Sequence, residues 1–148
     1  MYLFPHVSVS VDIDGDYLAS AGWGSSVKVW NMKLRKQLYE VKHDGRVECV
    51  KVHGELVISA SLDHTIKLSN RSDGHLLHTL RHDDLCLNFD ISNNLLAVAA
   101  RDGLYIWSLR DQQRIKKIRL YWVVDVRFQG RSIIAARENG EVYAIKME

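Results

Sequence analysis

Ser59, His43 and Asp63 are the side chains of this 148-residue chain whose types would do chemistry together. A hydroxyl nucleophile, an imidazole base and a carboxylate orienting the base make an acyl-transfer set. That chemistry needs the serine raised on an exposed turn, and no Gly-x-Ser-x-Gly elbow occurs. Seven histidines raise the question of a metal. There is no Cys-x-x-Cys or His-Glu-x-x-His, and His75 and His78, three apart in a strand-like stretch, point to opposite faces. The glycine-rich stretch 20–26, SAGWGSS, would cradle a phosphate only with a helix behind it, and none follows. The sequence therefore predicts no catalytic residue, no metal and no cofactor.

The elements that must position these residues repeat. The strips YLASAGWGSSVKVWN (17–31), LVISASLDHTIKLSN (56–70) and LLAVAARDGLYIWSL (95–109) overlay, and SIIAARENGEVYAIK (132–146) follows more faintly. Trp30, Ser69, Trp107 and Ile145 fall at equivalent places, at steps of 39, 38 and 38. No stretch of twelve residues shows helical apolar spacing. Short β-branched runs separated by Asp14-Gly15, Gly54, Asn93-Asn94 and Gly130, and again by Gly24-Ser25, Asp63-His64, Asp102-Gly103 and Asn139-Gly140, read as strands joined by tight turns. A repeat of about 40 residues with up to four strands each predicts propeller blades. The fold expected is all-β: a β-propeller with four blades per chain. It forms a single domain with repeats at about 7–43, 44–82, 83–120 and 121–148. The proposed fourth strands are 37–41, 76–80 and 115–119, and the last repeat ends after its third strand. A short stub, Tyr2, Leu3 and Phe4, precedes the first.

Composition is that of a globular domain: 47% hydrophobic, 26% charged, formal net charge +2. That charge carries no nucleic-acid argument by itself. No apolar run approaches the ~18 residues of a membrane helix, and MYLFPHVSVSV lacks the basic and continuous apolar regions of a signal peptide. Cys49 and Cys86 sit in apolar strand-like contexts, so a reducing intracellular compartment is expected, cytoplasm or nucleus.

SASLDHTIKLSN (59–70) and VKVWN (27–31) resemble the WD-repeat β-propeller family, and the resemblance covers nearly the whole chain. Blades of that family carry a hydrogen-bonded His, Ser, Asp and Trp. The resemblance implies His43, Ser59 and Asp63 for the second repeat, with Ser69 in the Trp place. It implies Ser20 and Trp30 for the first, with Gly24 in the Asp place. For the third it implies His82, Asp102 and Trp107, with Val98 in the Ser place, and the fourth keeps Asn139. His6 stands only three residues before Val9, against seven from His43 to Val50. The set satisfies buried polar groups at the blade end, so its likeness to a triad is read as structural.

The repeat leaves other groups unassigned. Trp23, Leu62, Arg101 and Glu138 occupy equivalent turns, and Arg46, Tyr121 and Trp122 lie in loops expected at the same end. Trp, Tyr and Arg are enriched at binding hot spots, so these seven are the candidate partner-binding residues. The function expected is a non-enzymatic scaffold presenting rigid loops to other proteins or peptides, with no membrane contact. The alternative is a nucleic-acid or nucleoprotein-binding propeller using the basic stretch RDQQRIKKIR (110–119). Four repeats are few for a closed ring of this family. A homodimer closing an eight-bladed ring is expected, the stub of one copy helping the strand-poor last blade of the other; membership of a larger chain is the other explanation.

Overall fold

The computed structural model describes residues 8–148; the stub Tyr2–Phe4 and His6 lie outside them. The described residues form 15 strands in four antiparallel sheets. Blade 1 holds β1 (Ser8–Asp14), β2 (Tyr17–Gly22), β3 (Ser26–Asn31) and β4 (Lys36–Lys42). Blade 2 holds β5 (Val47–His53), β6 (Leu56–Ser61), β7 (Thr65–Asn70) and β8 (Leu76–Arg81). Blade 3 holds β9 (Cys86–Ser92), β10 (Leu95–Ala100), β11 (Gly103–Ser108) and β12 (Gln113–Ile118). Blade 4 holds β13 (Val123–Gln129), β14 (Ser132–Arg137) and β15 (Val142–Lys146). In each sheet the strands lie in chain order, the meander expected of a propeller blade.

Local chemistry sets these elements. The first hairpin of each blade turns through a left-handed residue: Gly15 (φ 57°), Gly54 (56°), Asn93 (54°) and Gly130 (58°). Glycine and asparagine are the residues that take this conformation at low cost. The strand β12 begins at Gln113, two residues before the expected start. The reason is Gln112, which turns the chain at φ 51° while its amide donates to the carbonyls of Leu109 and Arg110. His75 likewise precedes β8 rather than lying within it.

Trp30, Ser69, Trp107 and Ile145 pair with Leu18, Val57, Leu96 and Ile133, so the repeat read from the sequence is also a repeat of register. The ladder slips by one residue beside Trp30 and beside Trp107. Such bulges re-aim the side chain they flank.

The chain divides into two compact units, 1–79 and 80–148. In the first, the back of blade 1 (Ala19, Ala21, Val27, Val29, Val41) packs on the front of blade 2 (Val47, Val50, Val52, Val57). Asp12 Oδ2 accepts from the Val52 N–H at 2.8 Å and Ser10 Oγ from the Val50 N–H at 3.1 Å. In the second unit, Ala97, Ala99, Leu104 and Ile106 of blade 3 pack on Val123, Val126, Ile133 and Ala135 of blade 4. There Asp90 Oδ2 accepts from the Phe128 N–H at 2.7 Å. The same register position thus reads Asp12, Lys51, Asp90, Arg127 along the chain, acid and base in alternation. Within each unit the acid satisfies an edge N–H of the following blade, which would otherwise be buried without a partner. Tyr39 adds a second tie in the first unit, its hydroxyl donating to the carbonyls of Asn70 (3.1 Å) and Arg71 (2.7 Å).

Candidate functional site

Blade 2 assembles the full relay. His43 Nδ1 donates to Asp63 Oδ2 at 2.9 Å, which fixes the tautomer, so Nε2 accepts from the Ser59 hydroxyl at 2.8 Å. Asp63 also accepts from the Thr65 hydroxyl and the backbone N–H groups of Thr65 and Asp44. Burial opposes ionisation of Asp63, but these donors outweigh it and hold the carboxyl below its usual range. Burial pushes the His43 imidazole below its ordinary value, against the pull of Asp63. The distances are those of a nucleophile, base and orienter. Accessibility is not: Ser59 is 1% exposed and lies mid-strand, opposite Val50 and Lys67. An attacked carbonyl must come within ~3 Å of the hydroxyl, and no such approach exists for a side chain sealed inside a sheet. The set satisfies the blade end.

The other blades carry the set in rearranged form. In blade 1 the Trp30 indole donates to Ser20 Oγ at 3.3 Å. In blade 3 Val98 offers no hydroxyl, and the Trp107 indole donates directly to His82 Nε2 at 3.0 Å. Asp102 does not reach His82 as the expected relay would have it. Its Oδ2 accepts from the Tyr105 hydroxyl (2.7 Å) and Lys117 Nζ (2.6 Å). The Tyr105 ring stands edge-on to His82, centroids 4.6 Å apart. Burial lowers His82 to about 4, against the opposing charge of Asp102. In blade 4 Asn139 only accepts from the Glu141 N–H. Ser69, in the Trp place of blade 2, has a buried hydroxyl with no hydrogen-bond partner among the described residues.

The candidate binding residues form one cluster in each unit. In the first, Trp23 is 68% exposed and the Arg46 guanidinium lies 5.5 Å from its ring centroid. Arg46 pairs with Glu48, and its carbonyl accepts from the N–H of half-buried Leu62 at 2.9 Å. In the second, Arg101 lies 5.6 Å from the centroid of Trp122, which is 47% exposed. Asp84 clamps Arg101 with two bonds, 3.0 Å from Nε and 2.8 Å from Nη2. The same aromatic–arginine pair occurs twice with places exchanged: Trp on the turn and Arg in the loop, then Arg on the turn and Trp in the loop. Trp122 sits at φ 58°, a conformation that costs a bulky residue about 1–3 kcal/mol. It is held there by its N–H on the Arg101 carbonyl (2.8 Å) and its carbonyl on the Glu138 N–H (2.9 Å). The exposed Tyr121 gives its carbonyl to Arg137 Nε at 2.8 Å. Trp122, Arg137, Glu138 and Asn139 border a shallow recess of about 280 Å³.

The clamps Glu48, Asp84 and Arg137 were not among the residues predicted from sequence. The Asp83-Asp84 pair ahead of β9 was the readable signal, since it lies where a turn arginine needs an acid. In the basic stretch 110–119, Lys117 is drawn onto Asp83 and Asp102, and Arg114 lies 5.7 Å from the Tyr105 ring centroid. Two of its charges therefore serve the blade itself.

The WD domain, G-beta repeat family matches residues 2–31 and 35–69, the stretches where the Ser–Trp pair and the full relay stand. The chain belongs to the WD-repeat family. It is 31% identical over 107 residues to small ribosomal subunit protein RACK1 of Caenorhabditis elegans, covering 69% of this chain and 33% of that protein. It is 32% identical over 110 residues to the DENN domain and WD repeat-containing protein SCD1 of Arabidopsis thaliana, covering 69% of this chain and 9% of that protein. This WD-repeat chain thus spans about a third of the length of the RACK1 relative. Among solved structures, the computationally designed Ika4 protein superimposes with TM-score 0.89 at 18% identity, covering 99% of this chain and 94% of that one. The designed Ika8 protein does so with TM-score 0.86 at 18% identity, covering 95% and 46%. These likenesses show the fold, a β-propeller architecture with four blades in this chain.

Proposed function

We propose that this WD-repeat chain is a non-catalytic scaffold that binds other proteins or peptides through its Trp/Arg turns. The observation that carries the reading is the duplicated aromatic–arginine pair. In each unit an exposed indole is stacked on an arginine that a carboxylate already fixes. Rings held this way bind without a further ordering cost, which is how a rigid scaffold gains affinity. Its relatives are ribosomal and WD-repeat proteins, and two buried thiols suit a reducing compartment; both favour an intracellular site of action. The test is a pull-down or proximity-labelling comparison with Trp23→Ala/Arg101→Ala. Loss of the captured proteins is expected; an unchanged set overturns the reading.

The chain also acts as one propeller domain whose outer faces take a second copy. Register positions support this. Ile66 and Leu68 of blade 2 are buried, whereas Val142, at the place of Ile66, is 65% exposed. At the other end Val11 is 63% exposed, while Val126 at the same place in blade 4 is 1% exposed. The two open faces are unlike, so a contact between copies through them is head to tail, the kind that forms a ring where the rotation closes. Light scattering on the eluted protein should give twice the chain mass; a monomeric mass at micromolar concentration rules it out.

A further inference from the structure

Where first and second strands meet, the two units build the same seam and close it differently. In the first unit Arg71 plugs it. Its Nη1 reaches Asp14 at 3.3 Å, its Nη2 reaches Glu55 at 3.2 Å, and its guanidinium lies 4.7 Å from the Tyr17 ring centroid. The register identifies the counterparts in the second unit. The Arg71 N–H donates to the Glu55 carbonyl as the Met147 N–H donates to the Arg131 carbonyl. Tyr17 pairs with Asp14 as Leu95 pairs with Ser92. The plug has therefore become methionine, the aromatic lid leucine, one acid serine, and the other acid arginine.

The consequence is a recess of about 480 Å³ in the second unit. Leu95, Phe128 and Met147 give it apolar walls, and Asn93, Asn94 and Arg131 stand around it. Arg131 is exposed and makes no ion pair among the described residues. Glu148 borders the same recess without pairing to it. Arg131 thus stands at the lip where the first unit has Glu55, with Glu148 as the one acid among the described residues beside the same recess.

We propose that this recess is a docking pocket for a peptide with an apolar side chain next to a carboxylate. The apolar side chain enters between Leu95, Phe128 and Met147, and the carboxylate pairs with the Arg131 guanidinium, whose fork matches its geometry. The volume is at the lower end of the range of pockets that hold small ligands, enough for one or two side chains. The Asn94 amide already donates to Ser108 Oγ at 3.1 Å, and the Asn93 side-chain amide beside the apolar walls suits a main chain, whose N–H and C=O groups need partners.

The probe is an acetylated hexapeptide containing Phe-Asp, titrated into the full chain while the methyl resonances of Leu95 and Met147 are followed by NMR. Both should shift and saturate below millimolar peptide. Arg131→Glu, which installs the charge of the first unit on an exposed site, should weaken binding about fivefold or more, and Arg131→Lys less. A Phe-Asn peptide should bind the natural chain more weakly than Phe-Asp does, but less weakly than Phe-Asp binds Arg131→Glu, where like charges face each other. The combined variant Leu95→Tyr/Arg131→Glu/Met147→Arg, which copies the plug, should abolish the shifts. Trp23→Ala/Arg101→Ala should leave them unchanged, so failure here is distinct from failure of the turn reading. Unmoved methyls at millimolar peptide, or equal affinity in Arg131→Glu, overturn the proposal. Saturation by decanoate at lower concentration than by peptide overturns it too, in favour of a small amphiphilic carboxylate.

Discussion

His82 carries a free-energy consequence that follows from its partner. Its Nε2 accepts the Trp107 indole, so the folded blade needs the neutral ring, and burial lowers its value from 6.5 to about 4. The unfolded chain therefore binds the extra proton first. Stability from this residue is complete above pH 6.5 and declines as pH falls towards 4. The decline amounts to on the order of 2–3 kcal/mol. His43 is lowered too and acts in the same direction. Urea midpoints measured from pH 7 to 4.5 should fall in the natural chain and fall less in His82→Gln. Equal slopes would mean that the imidazole is not held neutral. Ser69 tests the opposite case. Its hydroxyl is buried without a hydrogen-bond partner among the described residues where blades 1 and 3 place an indole, and such burial costs about 1–3 kcal/mol. Ser69→Ala should therefore raise the melting temperature or leave it unchanged; a clear fall would mean that the hydroxyl has a partner.

At the scale of the element, the β7–β8 turn is the position where substitution should cost most for least change in size. Gly74 takes φ 78°, and a Cβ there would lie 2.3 Å from the Tyr39 ring. Tyr39 cannot retreat, because its hydroxyl holds the carbonyls of Asn70 and Arg71 from inside the same contact. Burial also pushes its phenol well above the ordinary range, so it remains a donor. Gly74→Ala should destabilise by about 2 kcal/mol or more, combining left-handed strain with the clash. Tyr39→Phe should cost about 1 kcal/mol by taking the donor from the Arg71 carbonyl, while the Asn70 carbonyl keeps the Gly74 N–H. Denaturant unfolding of both variants checks the pair. If Gly74→Ala costs no more than Tyr39→Phe, the turn has moved instead of resisting.

For the whole molecule, the exposed apolar positions are where the proposed pairing of two copies can be tested. Val11 and Ile13 on blade 1, and Val142 on blade 4, are exposed where their counterparts elsewhere in the chain are wholly or partly covered. Exposed apolar patches of this kind are covered by a partner or invite aggregation. Val11→Asp/Ile13→Asp should shift the mass measured by light scattering from two chains to one with little loss of folded signal, since neither side chain belongs to either packed cluster. Unchanged assembly in that variant would place the contact elsewhere.

The four-fold repeat and the all-β class were legible in the chain itself, because turn residues and β-branched runs act locally and recur at a fixed step. Gly15, Gly54, Asn93 and Gly130 show this plainly: each marks a left-handed turn whatever surrounds it. The blade-2 set, His43, Ser59 and Asp63, was implied by the resemblance to WD repeats and not by local preference. What joined distant parts of the chain was not legible. The diversion of Asp102 to Lys117, the Asp84 clamp on the turn arginine Arg101, and the replacement of the Arg71 plug by an open recess all join residues far apart in the sequence. Side chains 15 to 60 positions apart are neighbours only after the sheets have stacked, and packing rather than local preference chooses which donor meets which acceptor.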